Sequence, residues 1–499
     1  MTPFRFTFVL VLFIAFVFPV FAQVPEPITI DLAAKISPFP HYWEQSFGSG
    51  RAALALRESY RNDLREAKKI TDFRYVRFHA IFHDELGVYD EDENGNPEFN
   101  FTYIGQIYDG LLQNGVRPFV EISFMPKKLA SRQDLHPFWY KQNVAPPKDY
   151  TKWDLLIRNF AQFLVDRYGV DEVAQWYFEV WNEPNIDFWS GDPKQETYFE
   201  LYDHTAKALK AVNPRLRVGG PSTSSAHWVD DFLAHVAKEK VPIDFVSTHG
   251  YSDDSVEDLF GTHDEIPVEK RACKAVEKVH KQVLASPYPQ MPLFWTEWNV
   301  AGYSELFARD TSYSATATAQ TIRDCDGMLD ILSFWTFSDV FEENGPSRTP
   351  FPSIFGLLAA GGIKKPSYYA FSLFHRLGTT RLANPAENVL VTKRDDGSIA
   401  IAVWNLIPPT QSGIARTFEL EIRGLKGAAS ALVSRIDADH ANTLAAYKRM
   451  GSPRYPTKAQ IDQLNRESAL QPPAPLPLLN GHLSLTLPPN GFALLEIRP

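Results

Sequence analysis

Hydrophobic and polar positions alternate between two periods through the first three quarters of the chain. Short apolar runs, typical of buried strands, are separated by longer stretches in which apolar residues recur at helical spacing. Residues 154–168, for example, place Leu156, Phe160 and Leu164 four positions apart, and this spacing predicts an amphipathic helix. The alternation as a whole predicts strand–helix units that build a parallel sheet.

Eight runs have the length and composition of strands in such a sheet. They are Trp43–Gly48, Arg74–His79, Arg117–Ser123, Trp176–Val180, Arg217–Gly220, Asp244–His249, Leu293–Glu297 and Ile331–Thr336. Eight strand–helix repeats predict an α/β fold of the (β/α)8 TIM-barrel type. An open, doubly wound sheet is the alternative, but no glycine-rich phosphate loop follows the first strand.

The hydrophobic pattern changes after about Tyr369. From there, short segments with alternating or β-branched residues are separated by turn residues. These segments are Val389–Thr392, Ile399–Asn405, Thr417–Ile422, Ala431–Ser434, Leu483–Leu487 and Gly491–Ile497. They predict an accessory C-terminal β-sandwich domain. We expect a barrel over residues 43–369, a sandwich over 370–499, and an N-terminal strand within 23–42 that joins the sandwich.

The first 22 residues have the features of a secretory signal peptide. Arg5 precedes the apolar stretch Phe6–Phe18, and Val20-Phe21-Ala22 fits the small-residue cleavage rule, which would leave Gln23 at the new N-terminus. The alternative is an uncleaved membrane anchor, although the run is shorter than the roughly 20 residues of a bilayer span. We therefore expect a secreted or periplasmic protein that has no membrane contact after cleavage.

Net charge and cysteine content give expectations about partners and cross-links. The net charge of −10 argues against a nucleic-acid partner, because phosphate binding needs a basic face. The two cysteines, Cys273 and Cys325, could form one disulfide, but two buried free thiols are the expectation for a chain whose core is large enough without cross-links. The oligomeric state stays open.

Polar and aromatic residues cluster at the C-terminal ends of the predicted strands, where barrel enzymes carry their catalytic groups. The cluster contains His79, Glu121, Phe124, Glu179, Asn182, Glu183, His249, Tyr251, Glu297, Trp335, Glu342 and Glu343. Carboxylates, imidazoles, an amide and indoles on one rim suit a neutral, polyhydroxylated ligand and acid/base chemistry.

Glu183 and Glu297 end the fourth and seventh predicted strands, three repeats apart on facing sides of the barrel mouth. Cleavage of a glycosidic bond needs two carboxyl groups, one to protonate the leaving oxygen and one at the anomeric carbon. Asn182 could donate to the sugar 2-hydroxyl, or simply cap the next helix. His249 and Tyr251 are expected to hold Glu297 ionised through hydrogen bonds.

Two further residues are candidates for sugar contacts. Trp335 is expected to form the floor of the site, with core packing as its alternative role. Glu343 is expected to accept hydrogen bonds from sugar hydroxyls, and its neighbour Glu342 is a nearly equal candidate.

The chain resembles glycoside hydrolase family 39, and within it the β-xylosidase branch, over nearly its whole mature length. The resemblance rests on Phe47-Gly-Ser-Gly-Arg51, Arg77-Phe-His79, Val120-Glu-Ile-Ser-Phe-Met-Pro126, Trp181-Asn-Glu-Pro-Asn185, Thr296-Glu-Trp298 and Trp335-Thr-Phe-Ser-Asp-Val-Phe-Glu-Glu343. It implies a retaining mechanism with no metal or cofactor. It also implies that Glu183 is the acid/base, that Glu297 is the nucleophile, and that the sugar-contacting residues are His79, Phe124, Asn182, His249, Tyr251, Trp335 and Glu343.

Two positions bear on the substrate. The β-xylosidases commonly have glycine after the strand-2 histidine, where this chain has Ala80, so the geometry on the leaving-group side stays open. The family also contains α-L-iduronidases, which look to have lysine two residues after the strand-6 histidine, where it can meet a uronate. Tyr251 occupies that position here and disfavours an acidic sugar.

The expected function is therefore an exo-acting β-xylosidase that releases xylose from xylo-oligosaccharides. A β-glucosidase, β-galactosidase or arabinosidase is the nearest alternative, because one hydroxymethyl group changes binding by only about 1–3 kcal/mol. A metal-dependent hydrolase that uses His79, His83, Asp84 and His249 is less favoured, as is a non-catalytic sugar-binding protein.

Overall fold

The computed structural model describes residues 25–302, 308–425 and 430–498. The predicted signal peptide over residues 1–22 lies outside these ranges. Within them, no helix is both long enough and apolar enough to cross a membrane.

Eight parallel strands form a closed barrel, and this confirms the predicted fold class. Its strands are Ser46–Gly48, Tyr75–Phe78, Arg117–Ile122, Tyr177–Val180, Arg217–Thr223, Phe245–His249, Leu293–Trp298 and Ile331–Phe334. Each strand pairs with its neighbours in chain order, and the eighth closes onto the first where Phe334 lies opposite Phe47. All eight predicted strands are therefore present, with ends that differ by up to three residues.

Helices lie between the strands on the outside of the barrel. They span Glu58–Lys68, Thr102–Gln113, Tyr150–Tyr168, Val170–Val173, Lys194–Val212, Val229–Glu239, Val256–Phe260, Val268–Ala285, Tyr313–Asp324 and Pro366–Phe374, with 3-10 turns at Ala52–Leu56, Asp84–Leu86 and Ser224–Ala226. Two short hairpins pair Tyr89–Glu91 with Pro97–Phe99 and Leu358–Ala359 with Ile363–Lys364. The helix predicted over residues 154–168 begins one turn earlier, because the Asp149 side chain caps it by accepting from the Thr151 N–H.

The barrel interior changes character along the strands. Phe119, Phe245, Phe294 and Ile331 form an aromatic and aliphatic plug near the strand starts. Because strand residues two apart share a face, the next inward position after Phe119 is Glu121. The apolar plug therefore closes the bottom of the barrel, and the charged layer above it is left facing the mouth.

Two further sheets pack face to face beside the barrel. The smaller contains Glu26–Asp31, Arg416–Arg423 and His482–Leu487, and the larger contains Ile36–Pro38, Thr380–Leu382, Val389–Lys393, Ile399–Trp404, Phe492–Arg498, Ser430–Ile436 and Ala474–Leu476. Their facing side chains, among them Ile28, Val391 and Leu420, form a second hydrophobic core. The N-terminal strand pairs in parallel with Arg416–Arg423 and places Ile28 opposite Leu420.

Two helices, Thr443–Arg449 and Lys458–Glu467, interrupt this β-rich region, for which the sequence predicted only strands. Their apolar residues pack with Ala359 and Ile363 of a barrel hairpin. The second helix begins at a capping box in which Thr457 and Gln460 bond to each other's backbone N–H groups. That Thr-x-x-Gln signal was readable in the sequence.

Cys273 and Cys325 form a disulfide, so the expectation of two free thiols is wrong. Cys273 lies on helix Val268–Ala285, and Cys325 caps the end of Tyr313–Asp324. These helices are neighbours around the barrel and bring the two Cα atoms to 5.1 Å, which lies within the range of about 4.4–6.8 Å that a disulfide needs. The fold creates this proximity between residues 52 positions apart.

Candidate active site

A cavity of about 340 Å³ opens at the C-terminal end of the barrel strands. Seven of the nine predicted site residues line it: His79, Asn182, Glu183, Tyr251, Glu297, Trp335 and Glu343. Loop residues complete the wall, including His136, Phe138, Phe188, Ser224, Asp254 and Phe355. Phe124 and His249 are not among the lining residues.

Phe124 is fully buried, so the expected sugar contact is not formed by its ring. Its ring stacks on Phe188 at 6.0 Å between centroids and meets the edge of Trp181 at 5.4 Å. Phe188 is the ring that reaches the cavity. Phe124 therefore supports the wall from behind.

Arg77 lies at the centre of the charged layer and is completely buried. Its guanidinium donates to Glu179 Oε2 at 2.6 Å and to Glu297 Oε1 at 2.6 Å. Its Nη2 lies 2.9 Å from Glu121 Oε2 and donates to Asn182 Oδ1 at 3.0 Å. Because a guanidinium has five donors in a rigid plane, one residue positions partners from three other strand ends.

His79 forms the second cation of this layer. Its Nδ1 lies 2.6 Å from Glu121 Oε2, and its Nε2 lies 3.7 Å from both Glu297 Oε1 and Glu343 Oε1. Burial alone would lower the pKa of His79, but the Glu121 charge and hydrogen bond outweigh it and raise the pKa to about 9. The ring is thus protonated at neutral pH, and its Nε2–H faces the two carboxylates of the cavity.

Glu183 lies in a different environment from the other carboxylates. Burial raises its pKa to about 7, and the charges of His79 and Arg77 only partly oppose this rise. Its Oε1 lies 3.0 Å from His249 Nδ1. A carboxyl group that keeps its proton near neutral pH is suited to act as a general acid.

The hydrogen bonds of His249 indicate where that proton lies. The Thr296 hydroxyl donates to Glu179 Oε1 at 2.7 Å, so its oxygen can only accept from His249 Nε2 at 3.1 Å. Burial lowers the pKa of His249 to about 4, and a neutral imidazole carries one N–H. Nδ1 is therefore an acceptor, and it fits a protonated Glu183 that donates to it.

This arrangement corrects one expectation and agrees with another. His249 was expected to bond Glu297, but its Nδ1 lies 3.8 Å from that carboxylate, beyond hydrogen-bond distance, and contacts Glu183 instead. Tyr251 does donate to Glu297, with 2.9 Å between the phenol oxygen and Oε2. Glu297 thus accepts hydrogen bonds from both Arg77 and Tyr251.

The Asn182 amide has a fixed orientation. Arg77 can only donate, so the amide oxygen must face it, as the 3.0 Å contact to Oδ1 shows. The amide –NH2 is then the donor that Asn182 offers within the cavity it lines.

Trp335 and Glu343 are placed by the loops after the eighth strand. Gly48 of the first strand has no side chain, and any Cβ there would overlap the Trp335 indole. Glu343 faces the cavity. Its neighbour Glu342 faces away, accepting from Arg51 at 3.0 Å and pairing with Arg57, so the two candidate glutamates are clearly separated.

The backbone around the site adopts the left-handed conformation at several strand ends. Ala80 has φ 71°, Trp181 has φ 72° and Glu183 has φ 43°. Glycine reaches this region without steric cost, whereas other residues meet a penalty of about 1–2 kcal/mol. Ala80 therefore meets this penalty, which glycine at the same position would avoid.

The four residues proposed for a metal-dependent hydrolase do not form one ligand group among the described residues, because His83 and Asp84 bond elsewhere. His83 Nε2 contacts the Tyr140 carbonyl at 2.8 Å, and its Nδ1 accepts from the Glu85 N–H. Asp84 accepts from the Lys127 N–H. His79 with Glu121 and Glu297, and His249 with Glu183 and Glu297, each bring ligand atoms within 4.8 Å of one another. Both groups share Glu297, which already contacts the buried positive charge of Arg77.

Sequence reasoning missed Arg77 as a site residue. The sequence did contain an indication of its role, since Arg77 is a charged residue within an apolar strand. It lies two positions before His79 and therefore on the same face of that strand. The lining residues His136, Phe188 and Asp254 come from loops, where no periodicity indicates which side chains point inward.

Comparisons with known proteins agree with this geometry. A model of the glycosyl hydrolases family 39 matches residues 26–479. The chain belongs to this family. It is a glycoside hydrolase that acts on O-glycosyl bonds.

Relatives in the family are similar over almost their whole length. A β-xylosidase of Geobacillus stearothermophilus is 37% identical over 472 residues, which cover 92% of this chain and 93% of the relative. A β-xylosidase of Caldicellulosiruptor saccharolyticus is 36% identical over 452 residues, covering 89% and 92%. The crystal structure of a monomeric β-xylosidase from Caulobacter crescentus CB15 superposes with a TM-score of 0.85 at 34% identity, covering 95% of this chain and 99% of that one.

Replacing Arg77 by Met should destabilise the protein by about 3–5 kcal/mol at pH 7, because it leaves buried carboxylates without their partner. His79 and Arg77 hold the pKa of Glu121 below its ordinary value of 4.5 against the effect of burial. Such a carboxylate stabilises the fold above pH 4.5 and loses this contribution as it is protonated. The difference between wild type and Arg77→Met should therefore shrink below about pH 4.5.

Urea unfolding at a series of pH values measures this difference. Arg167→Met is the matched control, because Arg167 pairs with Asp109 at the surface and should contribute less than about 1 kcal/mol. Equal losses for the two variants would show that Arg77 does not hold the charged layer together.

Proposed function

We propose that this chain is a retaining, exo-acting β-xylosidase that releases xylose from xylo-oligosaccharides by double displacement. In this proposal Glu297 is the nucleophile and Glu183 is the acid/base. His79, Asn182, Tyr251, Trp335 and Glu343 contact the sugar, while Phe124 and His249 act from behind the cavity wall.

The separation of the two carboxylates carries the proposal. One oxygen of Glu183 and one of Glu297 lie within 4.8 Å of each other. Retaining enzymes place the two groups about 5–5.5 Å apart, whereas inverting enzymes need about 6.5–9.5 Å to admit a water molecule. A closest approach within 4.8 Å fits the shorter, retaining spacing, in which Glu297 can attack the anomeric carbon directly and form a covalent glycosyl-enzyme.

The environments of the two groups support the assignment of roles. Glu297 accepts hydrogen bonds from Arg77 and Tyr251, and this suits an anionic nucleophile. Glu183 is buried with a pKa raised to about 7, and this suits a proton donor. In the first step Glu297 bonds to the anomeric carbon while Glu183 protonates the departing oxygen. In the second step Glu183 takes a proton from the water that releases xylose.

The named activity of the relatives supports xylose as the sugar. The matched β-xylosidases share more than a third of their residues with this chain over about 90% of its length. The cavity is small and polar at its base, where His79, Glu297 and Glu343 converge.

A panel of nitrophenyl glycosides tests both the sugar and the nucleophile. We expect the intact enzyme to prefer the β-xyloside over the β-glucoside, β-galactoside and α-L-arabinoside. Glu297→Gly should be inactive on all of them because no glycosyl-enzyme can form. Added azide should restore turnover of the β-xyloside and give the α-xylosyl azide.

Glu179→Gly is the matched control, since Glu179 also bonds Arg77 but does not line the cavity. Azide should not rescue it. If the rescued product had the β configuration, the nucleophile would be a residue other than Glu297. If the enzyme preferred another glycoside, xylose would not be the sugar that it releases.

The pH dependence of kcat/KM should show an alkaline limb near pH 7. Glu183 must be protonated to act as the acid, and burial sets its pKa at about 7, so activity falls as the pH rises through this value. In Glu183→Gln the group cannot ionise, and the alkaline limb should disappear. The measurement uses a nitrophenyl β-xyloside, whose departure is faster with the proton in wild type but still slow and measurable without it in the variant.

Asp254 provides the control for the assignment of the alkaline limb to Glu183. It also lines the cavity, and burial raises its pKa to about 7. Asp254→Asn should keep the alkaline limb if Glu183 is the acid. Loss of the limb in Asp254→Asn and its survival in Glu183→Gln would reverse the assignment.

We also propose that the protein is secreted or periplasmic. The basic and apolar N-terminal segment and the Ala22 cleavage position support this location. The Cys273–Cys325 disulfide gives independent support, because disulfides persist mainly in oxidising compartments. N-terminal sequencing of the exported protein should start at Gln23, and a start at Met1 would indicate a retained leader.

A further inference from the structure

Exposed apolar side chains are concentrated beside the mouth of the cavity. Leu135, Trp139 and Ile186 are three of the ten large hydrophobic residues exposed in the described part of the chain. Ile186 lines the cavity itself. Trp139 directly follows His136, Pro137 and Phe138, which also line it. Leu135 directly precedes this segment, and Ile186 and Trp139 form an apolar rim along one side of the opening.

Trp139 is held firmly although 61% of its surface is exposed. Its backbone N–H donates to the Glu343 carbonyl at 2.8 Å. Its ring rests on Gly345, where a Cβ would lie 3.0 Å from Trp139 Cε3 and 3.2 Å from Cδ2. The indole is thus already held in place and exposed to solvent beside the cavity. A ligand that binds to it does not have to order the side chain first, which lowers the entropic cost of binding.

The contacts of His136 place this rim on the leaving-group side. Glu183 protonates the departing oxygen, so the residues that follow it face the leaving group. His136 Nε2 lies 3.3 Å from Asp187 Oδ2, and its ring stacks on Phe188 at 4.1 Å between centroids. The segment that carries Trp139 is thus packed against the loop that follows the acid.

We propose that Trp139 is a stacking platform for a xylose unit that lies outside the cavity on the leaving-group side. A xylopyranose ring has no hydroxymethyl group, so its C–H face can lie flat on an indole. The cavity holds the sugar that is cleaved and the start of the leaving group, and the chain beyond it passes over Trp139. This inference rests on the proposed function, and it makes the enzyme selective for chain length.

Substrates of increasing length test the platform. Release of xylose is measured from nitrophenyl β-xyloside, xylobiose, xylotriose and xylotetraose. In Trp139→Ala the ratio of kcat/KM for xylotriose to that for the nitrophenyl xyloside should fall about tenfold, the effect of losing one stacked ring. Most of the fall should be in KM, and Trp139→Phe should keep most of the ratio.

Tyr455→Ala is the matched control, since Tyr455 is 74% exposed but belongs to the C-terminal region. It should leave the ratio at the wild-type value. An unchanged ratio in Trp139→Ala, or an equal loss for every substrate, would overturn the proposal.

A binding measurement separates this inference from the proposed function. Calorimetry with Glu297→Gln and with Glu297→Gln/Trp139→Ala compares the affinity for xylotriose with that for xylose. We expect the second change to weaken xylotriose about tenfold and xylose much less. If wild type cleaves no xyloside, the proposed function fails, and this comparison still decides whether Trp139 binds a sugar.

Discussion

The guanidinium of Arg77 holds the charged layer of the barrel together. It contacts Glu121, Glu179 and Glu297 from three different strands, and it orients the amide of Asn182. Without a buried cation, carboxylates this close would repel one another and lose their hydration without compensation. The base of the cavity depends on this one residue, because it allows acidic side chains to occupy the barrel interior above the apolar plug.

The same layer gives the two central glutamates opposite properties. Glu297 accepts hydrogen bonds from Arg77 and Tyr251. Glu183 is buried, and its Oε1 faces the acceptor nitrogen Nδ1 of His249. Burial raises the pKa of Glu183 to about 7. Thr296 gives its proton to Glu179 and thereby fixes the tautomer of His249, whose Nδ1 can accept from a protonated Glu183. Residues behind the cavity wall thus set the hydrogen-bond pattern around Glu183.

Strand-end loops convert this charged layer into a shaped cavity. Left-handed backbone at Ala80, Trp181 and Glu183 turns the chain sharply after its strands. The loop that carries His136 packs on the loop after Glu183, and the loop after the eighth strand separates Glu343 from Glu342. The barrel provides fixed positions, and the loops determine which polar groups reach a sugar ring.

The sequence by itself determined the eight-stranded barrel, the β-sandwich and seven of the cavity-lining residues, because strand periodicity and the rule that barrel strands end at one mouth are local or general. Only the tertiary structure decided the rest. The Cys273–Cys325 bond depends on two helices becoming neighbours, and the burial of Phe124 depends on Phe188 from another loop lying against it. The hydrogen-bond partner of His249 likewise depends on a small difference in distance. Its Nδ1 lies 3.0 Å from Glu183 but 3.8 Å from Glu297. Such distances arise from packing between segments remote in the chain, and no pattern along a single segment encodes them.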